Sequence, residues 1–104
     1  MDNETFRIKE SYADGKFKLY AAGRIDANSS AALLETLENT LQSGKKEIIL
    51  NMTDVKYLSS IGIRALLKTY KDAQAEGISF YIERPSDVVK NILGMAALKD
   101  MLLL

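Results

Sequence analysis

Residues 45–76 read KKEIILNMTDVKYLSSIGIRALLKTYKDAQAE. Ile48-Ile49-Leu50 is a short unbroken apolar run, the pattern of an inner strand covered on both faces, so Glu47–Met52 is predicted as a strand. Asn51, Thr53 and Asp54 then read as a polar turn leading through Tyr57 and Leu58 to a pair of serines. From Ser60 the period changes. Ile63, Leu66, Leu67, Tyr70 and Ala73 recur along one helical stripe, and Arg64, Lys68, Lys71 and Asp72 lie away from it. The helix is expected over 60–76, ended by Gly77, which places Ser59 and Ser60 where a loop becomes a helix.

Upstream, residues 5–10 alternate weakly, with Phe6 and Ile8 on one face. Asp14-Gly15 is a tight-turn signal because both central positions of such a turn need positive φ. Phe17, Leu19 and Ala21 alternate with Lys16, Lys18 and Tyr20, completing a β-hairpin that is expected to end near Gly23. Asp26 or Asn28 can cap the helix that follows. Leu33, Leu34, Leu37 and Leu41 set its apolar stripe, and Gly44 is a natural stop. Downstream, Ile78–Ile82 is rich in strand formers. Pro85 is expected to open a third helix from Ser86 to about Leu93, with Gly94 stopping it. Met101–Leu104 is either a short last strand or an apolar tail on the core. The order ββαβαβα predicts an α/β fold: an N-terminal hairpin, then a mostly parallel sheet of 4–5 strands with right-handed crossovers and helices packed on it.

The 104 residues suit one domain spanning 1–104, and a 47% hydrophobic share is enough for one core. Lys+Arg and Asp+Glu are 14 each, leaving no basic excess for a nucleic-acid surface. There is no Cys and no His, which removes thiol chemistry and the commonest general base and metal ligand. The polar, acid-bearing start is no secretory signal, and no apolar run approaches the ~20 residues of a membrane span. A cytoplasmic domain is the expectation. No catalytic constellation stands out: Ser60 and Lys68 would sit roughly 12 Å apart along a helix axis, and no glycine-rich phosphate loop is present. Neither an enzyme nor a metal or other cofactor is expected.

Ser59-Ser60 supports two readings. One is a helix cap, and spacing alone favours it. The other is a phosphorylation switch, since a phosphoserine at a helix start is stabilised by the first N–H groups and by the dipole. Gly62, in the first turn, implies close approach either by a partner or by the underlying sheet. Ile61, Arg64, Ala65 and Lys68 share a stripe beside the core face, an apolar residue among basic ones, which suits either docking or solvation.

The residues Asp54 to Leu67, DVKYLSSIGIRALL, resemble the signature of STAS domains, the family of bacterial anti-sigma factor antagonists. Gly23-Arg24-Ile25-Asp26 resembles the family's glycine-to-aspartate turn before its first helix, and Val88–Met95 its late helix ending in Met. The resemblance implies partner switching. The unphosphorylated protein would bind an anti-sigma factor that is also a serine kinase of the histidine-kinase-like ATPase type. Phosphorylation would release it, and a PP2C-type phosphatase would reset the cycle. Carried over by position, the phosphoacceptor is Ser60, with Ser59 as alternative. Asp26, Ser59, Ser60, Ile61, Gly62, Arg64 and Lys68 are the expected partner-binding residues. Ser59 stands where sporulation-type members have Asp, and Ile61 where they have a second Ser.

The resulting expectation is an anti-sigma factor antagonist, monomeric when free and contacting neither nucleic acid nor membrane. The alternatives are a free-standing STAS module in a secretion, motility or lipid-transport pathway, and a small nucleotide- or ligand-binding module.

Overall fold

The computed structural model describes residues 4–103. Its elements are β1 (Arg7–Ala13), β2 (Lys16–Ile25), α1 (Ala27–Leu41), β3 (Glu47–Leu58), α2 (Ser60–Ala75), β4 (Ser79–Glu83), α3 (Asp87–Met95) and α4 (Lys99–Leu102). The four strands form one mixed sheet in the order β1-β2-β3-β4. β1 runs antiparallel to β2, and β2–β3 and β3–β4 are parallel. This is the α/β architecture expected from the order of elements. Asp14 and Gly15 both have positive φ, 51° and 77°, the geometry that lets a two-residue turn follow the twist of the hairpin.

One face of the sheet carries Phe17, Leu19 and Ala21 from β2, Ile48, Leu50 and Met52 from β3, and Phe80 and Ile82 from β4. Leu33 and Leu37 of α1, Leu66 and Ala73 of α2, Val89 and Leu93 of α3 and Leu102 of α4 join them in a single core. The other face is polar. Lys18 pairs with Glu83 at 3.0 Å, Asn51 donates to the same carboxylate at 3.0 Å, and the Tyr81 hydroxyl donates to Glu47 at 2.6 Å. Ile49 lies on this face in the row between Lys18 and Tyr81, yet is only 4% exposed. That explains an apolar run on an inner strand whose two faces have different cover.

The expected turn at 51–54 does not exist: β3 continues to Leu58. Between Lys16↔Glu47 and Ile25↔Leu58, β2 takes nine steps and β3 eleven, with shifts after Tyr20 and Gly23. The two extra residues are bulges. They break the period-2 alternation, so Thr53, Asp54, Lys56 and Tyr57 face outward and only Val55 and Leu58 inward, a pattern that mimics a turn. Asn51 stabilises the first bulge, its Oδ1 accepting from the Thr53 N–H at 3.1 Å. β2 runs on past Gly23 to Ile25, because the bulged half of β3 still pairs with it.

Two further boundaries differ. Ser86 caps α3, so the helix begins at Asp87, and Pro85 stands before the cap. Gly94 lies inside α3, which runs to Met95, and the chain reverses at Ala97, φ 59°. Residues 99–102 form a short helix instead of a strand, after which Leu103 makes one parallel bridge to Ile82. Leu104, part of the expected tail, lies outside the described residues.

Candidate functional site

β2 and β3 end side by side, at Ile25 and Leu58, and each feeds directly into a helix. The two helix starts therefore stand next to each other at the carboxyl edge of the parallel strands. The Ser59 N–H donates to the Ile25 carbonyl at 2.8 Å and joins them through the backbone.

Each start has its own cap. The Asp26 carboxylate accepts from the N–H groups of Asn28 and Ser29, both at 3.0 Å, and the Ser29 hydroxyl accepts from the Asp26 N–H at 2.9 Å, closing a capping box. Bonds from Ser29, the largest cause, hold the Asp26 carboxyl below the usual carboxylate range against the upward push of desolvation, with a lesser contribution from Asn28. At α2 the cap is Ser59, whose Oγ accepts from the Gly62 N–H at 3.1 Å. Ser59 is half-buried. Ser60, one residue on, is exposed, and its hydroxyl is bonded to no other described residue. The two readings of the serine pair thus fall on different residues: the cap is Ser59, and the accessible hydroxyl is Ser60.

The expected docking residues divide in the same way. At about 100° per residue, Ser60, Arg64, Lys68 and Ile61 fall within a wedge about 100° wide on α2, and all four are exposed, Ile61 by 46%. Lys68 is held at 2.8 Å by Asp72 and at 3.4 Å by Glu38 of α1, and these partners, Asp72 first, raise its pKa. Gly62 faces the opposite way and is buried. A Cβ there would stand 2.7 Å from Leu58 Cδ1 and 2.8 Å from Ile25 Cγ2. Its missing side chain is explained by the helix lying close on the strand ends, so Gly62 is corrected from a docking residue to a packing residue. Ala65 is likewise buried and leaves the exposed stripe.

Three features escaped the sequence reading. Ser30 is 1% exposed, and its hydroxyl donates to the Asp26 carbonyl at 2.6 Å and faces Ser59 Oγ at 3.5 Å. Arg24 lies over the Tyr57 ring, 4.3 Å from its centroid, and pairs with Glu4 at 3.2 Å. Gly23, φ 88°, has the Thr5 carbonyl so close that a Cβ would overlap its oxygen. The register Arg24↔Tyr57 decides the second, and no local spacing signals it. Among the described residues, no group of three or more His, Cys, Asp or Glu could hold a metal ion, and no helix is long and apolar enough to cross a membrane.

A mixed four-stranded sheet with helices on one face and an exposed serine heading the helix after the long inner strand defines a class. The family model for the STAS domain matches residues 9–104, and the chain belongs to that family. Among its relatives is the anti-sigma-B factor antagonist of Staphylococcus aureus, 25% identical over 95 residues, covering 91% of this chain and 88% of the relative. Among solved structures, an anti-sigma factor antagonist from Mycobacterium paratuberculosis superposes with a TM-score of 0.86 at 16% identity, over 95% of this chain and 84% of the other. The anti-sigma factor antagonist SpoIIAA in its unphosphorylated form gives 0.78 at 15%, over 95% and 86%. The Bacillus cell fate determinant SpoIIAA in its phosphorylated form gives 0.72 at 14%, over 95% and 89%.

Proposed function

We propose that this chain is a cytoplasmic anti-sigma factor antagonist whose partner is exchanged by phosphorylation of Ser60. The partner is an anti-sigma factor that is itself a serine kinase of the histidine-kinase-like ATPase type, and a PP2C-type phosphatase restores the binding form. The observation that carries this reading is the division of labour at the start of α2: Ser59 is committed to the cap, and Ser60 presents an uncommitted, exposed hydroxyl one residue later. The relatives named as anti-sigma factor antagonists supply the class of partner.

The physics of the switch follows from the position. The N–H groups of Ser60 and Ile61 precede the first intrahelical bond, from Ile63 to Ser59, and are donors available at this helix start. A phosphate there carries about −1.5 to −2 charges and sits at the positive end of the α2 dipole, where it is tolerated without unfolding the helix. Its effect is outward, against a partner seated on Ile61, Arg64, Lys68 and the loop holding Asp26. The protein acts by being bound and released and carries out no catalysis of its own.

The test is to incubate wild type and Ser60→Ala with cell extract and ATP and to measure intact mass. A single phosphate gained by wild type and absent from the variant is expected. With the isolated kinase, Ser60→Ala should bind without being released and Ser60→Asp should bind weakly. Equal binding by both variants would refute the switch. Partners that co-purify with Ser60→Ala distinguish a sigma pathway from a secretion, motility or lipid-transport complex.

A further inference from the structure

The apolar residues of α3 cover an arc wider than the core alone requires. Val89 and Leu93 point into the core. Beside them Val88, Ile92 and Met95, spaced i, i+4, i+7, carry the apolar arc outward: Ile92 is partly buried against the core, while Val88 is 37% and Met95 82% exposed. α4, which contacts α3, adds Met101, 42% exposed. Covering the core accounts for Val89, Leu93 and Ile92, and leaves Val88 and Met95 as apolar surface beyond that need.

The ends of this stripe carry opposite charges. Asp87 stands in the first turn of α3. At the other end the Lys99 side chain lies across Gly94, its Nζ 3.8 Å from where a Cβ would stand. At about 100° per residue, positions 87 and 94 fall on the same flank of the helix, within about 20° of each other. Neither Asp87 nor Lys99 has an ion-pair partner among the described residues.

We propose that this face binds a second copy of the chain, with the two α3 helices antiparallel about a twofold axis. A twofold axis lying in the contact plane and perpendicular to the helices keeps the flank and reverses the ends. It therefore sets Asp87 of each copy against Lys99 of the other, with Val88, Ile92 and Met95 between them. The patch is self-complementary in charge, as an isologous contact requires. It offers one three-turn helix and the short helix beside it, and contacts below the standard ~1,600 Å² belong to weak, transient encounters, so the dimer is expected only at high protein concentration. The free protein is then monomeric only when dilute. The contact lies on a different helix from Ser60 and stands or falls independently of the switch.

Sedimentation equilibrium of the full chain, from about 10 μM to 1 mM, tests this in the concentration window expected for a weak contact. The wild-type average mass should climb toward that of a dimer. Met95→Glu should stay monomeric throughout, and its melting temperature should match wild type because the side chain is on the surface. Asp87→Lys should weaken association about tenfold, and Asp87→Lys with Lys99→Asp should bring it back to within about threefold of wild type, because the rim pair is reversed but kept. Wild type that remains monomeric at 1 mM overturns the proposal. So does Met95→Glu associating like wild type, and so does failure of the charge swap to restore what the single reversal lost.

Discussion

Ser30 Oγ and Ser59 Oγ face each other at 3.5 Å across the two helix starts. Because the Ser30 hydroxyl donates to the Asp26 carbonyl and Ser59 Oγ accepts from the Gly62 N–H, the donors line up in one direction: Gly62 to Ser59, Ser59 to Ser30, Ser30 to Asp26. The cap of α2 is thereby joined to the N-cap residue of α1, and the position of Ser60 is referred to a helix that begins in another strand.

The joint should show as coupling between caps. Ser59→Ala should cost about 1 kcal/mol, the usual loss for a serine cap, and Ser60→Ala less than about 0.5 kcal/mol, as for a surface change. The double variant Ser30→Ala with Ser59→Ala should fall short of the sum of its parts by roughly 0.5 kcal/mol or more. Urea denaturation of wild type, Ser30→Ala, Ser59→Ala, Ser60→Ala and the double variant measures this, and strict additivity would remove the joint.

Gly62→Ala should destabilise. Alanine is up to about 1 kcal/mol the better helix former, but its methyl would meet Leu58 and Ile25 at 2.7 and 2.8 Å. Overpacking of this kind costs about 1–3 kcal/mol, so the clash wins. A denaturation midpoint at or above that of wild type would mean that α2 can lift off the strand ends cheaply.

Asn51 is 8% exposed and serves two neighbours, the Glu83 carboxylate and the Thr53 N–H at the bulge. Asn51→Ala leaves both short of a partner and should cost about 1–3 kcal/mol. Amide exchange at Thr53 should accelerate more than at Leu50, because only the former loses its acceptor. Equal protection in the variant would show that the bulge holds itself.

Acid stability should depend on Asp26 and Glu83. The bonds from Ser29 lower the Asp26 pKa from 3.8, and the bond from Asn51, followed by that from Lys18, lowers the Glu83 pKa from 4.5. A group that is more acidic when folded contributes stability that is complete above its unfolded value and is lost as pH falls through the folded value. The contribution of Glu83 should fade below about 4.5 and that of Asp26 below about 3.8. Asp26→Asn keeps a good cap and removes the proton, so its melting temperature should fall less than that of wild type on acidification below 3.8. Parallel acid limbs in the two proteins would exclude the carboxylate.

Much of this protein is readable residue by residue, because helix and strand periods, the Asp14-Gly15 turn and the presence of polar capping residues before α1 and α2 are local properties of a few neighbouring side chains. The serine pair could be placed at a helix start in the same way. Which serine is held and which is accessible could not, because Ser30, which faces Ser59, lies 29 residues away in sequence. The course of β3 was hidden for the same reason: a bulge exists only relative to the strand beside it, and the polar run after Leu50 reads as a turn until β2 is there to pair with it. Gly62 signals close approach in the chain, and the fold decides by what, since Ile25 and Leu58 leave no space for a methyl group. Local chemistry determined the elements, and the register between distant strands determined which hydroxyl is held and which is exposed.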